Sequence, residues 1–91
     1  MNKAQYLLSK KGEAVFVTCA RWGYRGIIED AGENGLLLSS PFMIFDSSSY
    51  TDETVKEEFV IPSDLFLSLD AIESICQPIW CFKGYERKGE K

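Results

Sequence analysis

Few side chains in this sequence have the types and spacing that catalysis or metal binding requires. The 91-residue chain contains no histidine, which removes the commonest general base and the commonest metal ligand. Its three cysteines, Cys19, Cys76 and Cys81, are an odd number without a CxxC motif. We therefore expect reduced thiols packed among apolar neighbours, and neither a disulfide framework nor a zinc site.

Carboxylates are the other candidates for chemistry. The acidic run at residues 52–58 lacks the Asp-x-Asp-x-Asp-Gly order of a calcium loop, which favours a solvated loop over a metal site. Glu29 and Asp30 are adjacent on a predicted strand, so their side chains point to opposite faces and cannot act as a catalytic pair. We therefore predict no enzymatic activity, no cofactor and no bound metal.

The segment 21–25, Arg-Trp-Gly-Tyr-Arg, combines two cations with two aromatic residues. Such a pattern can bind single-stranded nucleic acid through charge and stacking. In the alternative interpretation the segment is a turn, with Trp22 and Tyr24 packed inward and the arginines solvated. If nucleic acid binds the chain through charge, we expect it at a basic surface made by this segment together with two lysines near the N-terminus. The candidate residues of this surface are Lys10, Lys11, Arg21, Trp22 and Arg25.

Charge and composition restrict the classes of partner. The net charge of −4 is unevenly spread: residues 1–28 carry +4, residues 29–73 carry −10 and residues 74–91 carry +2. A nucleic-acid surface would therefore have to use the two ends of the chain. Apolar residues make up 45% of the sequence, which indicates a folded domain. Without an apolar run of membrane-spanning length or a signal peptide, we expect a soluble, cytoplasmic protein that does not enter a membrane.

The chain opens with helix signals and continues with strand signals. Asn2 and Gln5 have the spacing of a capping box, which predicts a short helix at about residues 3–11, and Gly12 is placed to end it. Residues 13–20 and 24–30 predict the first two strands, because they are rich in β-branched and aromatic residues. Asn34-Gly35 then predicts a type I′ turn into a long third strand at residues 36–45.

The second half of the sequence contains a polar, acidic loop at about residues 46–64, with a short strand signal at 59–61. Further strands are predicted at residues 65–69 and 72–76, and a last apolar patch at 79–82. We expect a single domain at residues 1–83 and a polar tail at 84–91. The predicted fold is mostly β: a short N-terminal helix followed by a strongly bent, five-stranded antiparallel sheet that forms a small, SH3-like barrel.

This order of elements resembles the Sm-like family. The resemblance covers roughly residues 3–76 of the chain. Because viruses carry divergent members of the family, a phage origin is compatible with it. The matching stretches are the first-strand valines Val15 and Val17, the glycine and isoleucines at 26–28, the Asn-containing entry to the third strand at 34–38, and the strand, turn and paired isoleucines at 67–75.

The resemblance implies a closed homo-oligomeric ring of roughly five to seven subunits, in which the fourth strand of one subunit pairs with the fifth strand of the next. Unpaired sheet edges favour such closure on physical grounds as well. Phe66 and Leu69, and beyond them Trp80 and Phe82, either add apolar area to the contact or fill the core. The residues expected at the subunit interface are Leu65, Phe66, Leu67, Leu69, Ile72, Ile75 and Cys76.

In rings of this family RNA bases lie near the pore, between two loops. The resemblance places Asp30 and Asn34 in the first loop and Ser68 in the second. The chain departs from the family pattern, because Ser68-Leu69 stands where a basic residue and a glycine are expected and neither loop contains an aromatic residue. We therefore expect at most weak binding of single-stranded RNA, and we expect Asn34 to serve the turn, since asparagine tolerates a positive φ.

Two other functions stay open at this point. The chain could be a structural or protein-interaction module without RNA binding, for example a phage assembly or host-factor-binding component that uses its acidic loop. It could also be a monomeric SH3-like barrel that binds a peptide across Trp22 and Tyr24. Oligomer size distinguishes the monomeric barrel from a ring, and a salt-dependent RNA affinity distinguishes an RNA-binding ring from a structural module.

Overall fold

A computed structural model describes residues 1–46, 49 and 51–85 of the chain. In this part the predicted mostly β fold with one short N-terminal helix and an antiparallel sheet is confirmed. The described residues form six strands and not five, because the short strand predicted at 59–61 within the acidic loop pairs in the sheet as the strand Glu57–Val60. The elements are α1 (Lys3–Ser9), β1 (Ala14–Cys19), β2 (Gly23–Ala31), β3 (Gly35–Asp46), β4 (Glu57–Val60), β5 (Leu65–Ser68) and β6 (Ile72–Cys76), with 3₁₀ helices at Leu69–Ala71 and Ile79–Phe82.

Helix α1 begins at the predicted capping box. The backbone N–H of Gln5 donates to Asn2 Oδ1 at 2.8 Å, and the backbone N–H of Asn2 donates to Gln5 Oε1 at 3.0 Å. Gly12 has a φ of +88°, and its N–H donates to the carbonyl of Ile28 at 2.8 Å, so the chain turns directly into the sheet. The helix therefore ends at Ser9, two residues before the predicted end, and it buries Leu7 completely.

The sheet is bent around its longest strand. Its order is β4-β3-β2-β1-β6, and β5 pairs with the first part of β3 while β4 pairs with the last part. The bend lies between these two parts, where Ser40 has a φ of +48° and is followed by Pro41. Among the described residues β5 pairs only with β3 and β6 only with β1, so the sheet stays open between them and does not close into the predicted small barrel.

The two faces of the sheet carry separate cores. The first core covers the α1 side and centres on Leu7, Val15, Val17, Ile28, Leu36, Leu38 and Ile72. The second core lies on the opposite face and centres on Ala14, Phe16, Ile44, Trp80 and Cys81. Because both faces of β1 are covered, four consecutive residues of that strand are buried and its sequence does not alternate.

The segment after β6 closes the second core. Trp80 is fully buried, and its ring meets that of Phe16 edge-to-face with centroids 4.7 Å apart. Of the two roles open to Trp80 on the sequence, the structure therefore shows core filling. The Tyr85 ring lies against Phe42 with centroids 6.2 Å apart, so the folded segment extends two residues beyond the predicted boundary at 83. The rest of the predicted tail, at 86–91, lies outside the described residues.

Candidate nucleic-acid interface at the β2–β3 turn

The turn between β2 and β3 differs from the predicted type I′ turn. The N–H of Gly32 donates to the carbonyl of Gly35 at 3.0 Å, which puts Glu33 and Asn34 at the two central positions. Neither Asn34 nor Gly35 has a positive φ, so the prediction was wrong for both residues. Gly35 is required for space instead: a Cβ atom there would come within 3 Å of the Phe66 ring and of the Leu67 carbonyl oxygen.

A shallow groove of about 300 Å³ opens beside this turn. Asp30, Asn34, Leu37 and Phe66 line it together with the turn backbone. Ser68 lies directly opposite Gly35 in the β3–β5 pair. The structure thus brings the three predicted pore residues, Asp30, Asn34 and Ser68, to one end of the sheet.

Phe66 supplies an aromatic ring at this site, although neither of the two predicted pore loops contains an aromatic residue. Its side chain is 61% exposed and lies over Gly35 at the edge of the groove. The sequence predicted Phe66 at the subunit interface but not beside the nucleic-acid site, because it belongs to a strand and not to either loop. The register of Leu37 opposite Phe66 is what carries the ring to the turn.

The groove is acidic. Asp30 and Glu33 line it, and no lysine or arginine does so within the described part of the chain. One carboxylate oxygen of Asp30 accepts the backbone N–H of Ala31 at 2.9 Å. The groove can therefore offer a stacking surface and the Asn34 amide to a flat ring, but the described residues bring no positive charge to it for a phosphate.

The predicted basic surface does not form as one patch. Lys10 and Lys11 follow α1 at one end of β1, while Arg21 and Trp22 follow its other end. A strand of six residues separates the pairs by about 20 Å. Trp22 is 40% exposed. This value lies between a ring packed inward in a turn and a ring fully available for stacking on a base, which are the two interpretations of the sequence.

Arg25 is not on the surface at all; it is 3% exposed. Its guanidinium donates to both carboxylate oxygens of Glu58, at 2.8 and 3.0 Å, and to the carbonyl of Lys83 at 2.6 Å. The rings of Phe42 and Tyr85 flank it, with centroids 4.1 and 5.1 Å from the guanidinium carbon. This arginine is therefore unavailable to nucleic acid, because β4 and the C-terminal segment enclose it.

Most residues of the predicted subunit interface point inward. Ile72 is fully buried in the first core, and Leu67, Leu69 and Ile75 pack against that core. Cys76 packs against the second core, and Leu65 is half-buried. Phe66 is the interface residue whose side chain is mostly exposed, so an intersubunit contact there would rest on it and on the strand backbones.

The described residues offer little else that resembles an active site. Burial raises the pKa of the Cys19 thiol, and the nearby Glu73 carboxylate raises it further, which disfavours a reactive thiolate. Across the described ranges no group of three or more Cys, Asp and Glu side chains is placed to hold a metal ion. The structure there also contains no helix with the length and apolar character needed to cross a bilayer.

Comparison of the chain with models of known protein families, with curated proteins and with solved structures found no match.

Proposed function

We propose that this chain is a divergent Sm-like module that assembles into a closed ring of roughly five to seven copies by pairing β5 of one copy with β6 of the next. The observation that carries the proposal is the open sheet: β5 and β6 each have one side without a strand partner among the described residues. A head-to-tail contact between two different edges closes into a ring when its rotation closes, and it pairs the free sides of both β5 and β6.

The hydrogen-bond pattern of β5 supports this use of its edge. Because Gly35 bonds toward β2, the next residue, Leu36, bonds toward β5, and its partner there is Leu67. Alternate residues of an antiparallel strand bond to opposite sides. The backbone groups of Phe66 and Ser68 consequently face away from β3, where the strand of a neighbour would be added.

In this proposal the ring binds single-stranded RNA weakly at the turn groove, with a base stacked near Phe66 and bonded to the amide of Asn34. Because no cation of the described residues lines the groove, the affinity comes from the base and not from the phosphates. We therefore expect a shallow dependence on salt concentration, unlike that of a basic RNA-binding surface.

Light scattering coupled to size exclusion tests the ring. Phe66→Asp puts a charge at the proposed joint and should reduce one defined oligomer to smaller species. Phe59→Asp is the matched control, because Phe59 lies on β4, an edge strand outside the proposed joint, and is 60% exposed against 61% for Phe66. A wild-type chain that runs as a monomer, or two variants with the same size, would contradict the proposed joint.

Fluorescence anisotropy with oligouridylate and oligoadenylate tests RNA binding. Asn34→Ala should weaken binding about tenfold, the effect of a lost hydrogen bond of about 1.4 kcal/mol to a base edge, while the ring stays intact. Lys10→Ala with Lys11→Ala is the control and should leave the affinity nearly unchanged. If the RNA affinity depends steeply on salt concentration and the double lysine variant loses this dependence, RNA binds at the lysines and not in the groove.

A further inference from the structure

An exposed row of aromatic rings crosses one end of the sheet, far from the β2–β3 turn. Trp22, Phe45 and Phe59 meet edge-to-face in succession, with ring centroids 5.0 and 4.8 Å apart. Trp22 is 40% exposed and Phe59 is 60% exposed. A shallow cavity of about 220 Å³ opens beside Trp22 and Phe45, and it has room for an aliphatic side chain. We call these three residues the aromatic row.

The aromatic row ends at a free strand edge. Within the described part of the chain β4 pairs with β3 alone, and its residues Phe59 and Val60 are 60% and 69% exposed on opposite faces. The N–H of Ile61 donates to the carbonyl of Pro41 at 2.9 Å, so the backbone of Ile61 faces β3. By alternation the backbone of Phe59 also faces β3, while the N–H and C=O of Val60 face outward.

Carboxylates surround this edge. Glu57 lies two residues before Phe59 and so shares the face of the aromatic row. Asp46 is its partner across the β3–β4 pair, and Asp52 and Glu53 are exposed in the preceding loop. Among the described residues, Arg21 and Lys56 are exposed cations on neighbouring segments, Lys83 is exposed beside the Arg25–Glu58 pair, and Glu58 is already paired with Arg25. The edge is therefore acidic on balance, which disfavours a nucleic acid and also a second copy of the same acidic strand.

We propose that the β4 edge binds an extended segment of another protein by strand addition, and that this segment carries aliphatic residues followed or preceded by lysine or arginine. The outward N–H and C=O of Val60 would bond to the added strand. Its aliphatic side chains would cover the aromatic row, and its cations would meet Glu57 and Asp46. The site uses neither β5 nor β6, so it is independent of ring assembly.

Two synthetic heptapeptides of the same composition test the site. They are acetyl-Val-Thr-Val-Thr-Lys-Thr-Lys-amide and its reversed order, acetyl-Lys-Thr-Lys-Thr-Val-Thr-Val-amide. In each, the valines and lysines share one face, and the two orders match antiparallel and parallel addition to β4. We expect one of them to bind the full chain in calorimetric titrations, with amide shifts centred on β4. The same peptides with glutamate in place of lysine should not bind.

Two substitutions then examine the separate contacts, and a third is their control. Phe59→Ala removes part of the aromatic row and should weaken binding about tenfold. Val60→Pro removes the outward N–H and should weaken binding to a similar extent. It leaves the hydrogen bonds between β3 and β4 intact, because the N–H of Val60 does not contribute to them. Phe66→Ala is the matched control, because that equally exposed ring lies on β5, and it should leave the affinity unchanged.

Charge reversal is the decisive variant. Glu57→Lys should reduce binding of the lysine peptide about tenfold and allow the glutamate peptide to bind. This swap alters an exposed side chain, so it tests the site even where Val60→Pro fails to fold. Absence of binding by both lysine peptides up to about 1 mM would overturn the proposal. Equal affinities for the lysine and glutamate peptides would also overturn it. So would competition between oligouridylate and the peptide that is abolished by Phe59→Ala, because the edge would then bind nucleic acid. Self-association of the chain that is lost in Phe59→Ala would overturn it as well, because a second copy would then occupy the edge.

Discussion

Arg25 lies on β2, and its guanidinium links this strand to two other parts of the chain. It bonds to Glu58 of β4 and to the carbonyls of Cys81 and Lys83 in the C-terminal segment. Because the group is almost completely buried, these partners must replace the water it loses. Two aromatic rings add cation–π contacts in the same desolvated setting. At the residue scale this arginine is structural.

We predict that Arg25→Met lowers the free energy of unfolding by about 3–5 kcal/mol, because it leaves the Glu58 carboxylate and two carbonyls without their cation. Urea denaturation followed by circular dichroism measures the change. Arg21→Met is the matched control, since Arg21 is exposed, and it should cost at most about 0.5 kcal/mol. Equal losses in the two variants would mean that the buried ion pair contributes nothing specific.

At the element scale the C-terminal segment acts as the cover of the second core. Its 3₁₀ helix places Trp80 and Cys81 under β1, and the Tyr85 hydroxyl donates to the carbonyl of Ser40 at the bend of β3. Burial raises the pKa of Tyr85 to about 12; the Arg25 charge opposes this shift and the Glu58 charge adds to it. The folded state therefore holds the phenolic proton more tightly than the unfolded chain does.

This raised pKa gives a pH dependence with a defined sign. The contribution of Tyr85 to stability is complete below its unfolded pKa of about 10 and is lost as the pH rises through about 12. We predict that Tyr85→Phe unfolds with a shallower decline in stability across this window than the wild type does, as measured by urea midpoints at successive pH values. Parallel declines would show that the phenol does not titrate differently in the two states.

At the scale of the whole molecule the main feature is an open sheet with unlike edges. β5 and β6 carry the proposed ring contact, and β4 carries the proposed peptide site. These edges are separate, so a ring could present several β4 edges at once, each free to bind its own strand. Such an arrangement would raise the apparent affinity for a partner with repeated segments.

Assembly also links stability to concentration. If the folded chain associates, mass action stabilises it, and the thermal midpoint should rise by a few degrees for each tenfold increase in protein concentration. Scanning calorimetry of the wild type and of Phe66→Asp measures this, and the variant should lose the dependence. A wild-type midpoint that does not change with concentration would argue for a monomeric fold.

Local signals in the sequence determined most of the elements. The capping box at Asn2 and Gln5 and the glycine at position 12 are short-range features, so they located α1 without further information. The strand 72–76 was predicted with its observed bounds, and β1, β2 and β3 within one residue at each end. The family resemblance of the sequence, and no local signal, indicated Asp30, Asn34 and Ser68, which the structure brings to one end of the sheet.

Long-range pairing decided the rest. Asn34-Gly35 indicated a type I′ turn, but Gly35 belongs to β3, because Phe66 and Leu67 pack against it from β5. The sequence predicted a solvent-exposed Arg25, but in the structure Glu58 and the carbonyl of Lys83, which are far along the chain, enclose its guanidinium. Trp80 and Phe66 are both large aromatics in apolar stretches, yet one fills a core and the other lies exposed. Propensity and spacing act over a few residues, whereas burial and free edges depend on which strands meet, and only the tertiary structure decides that.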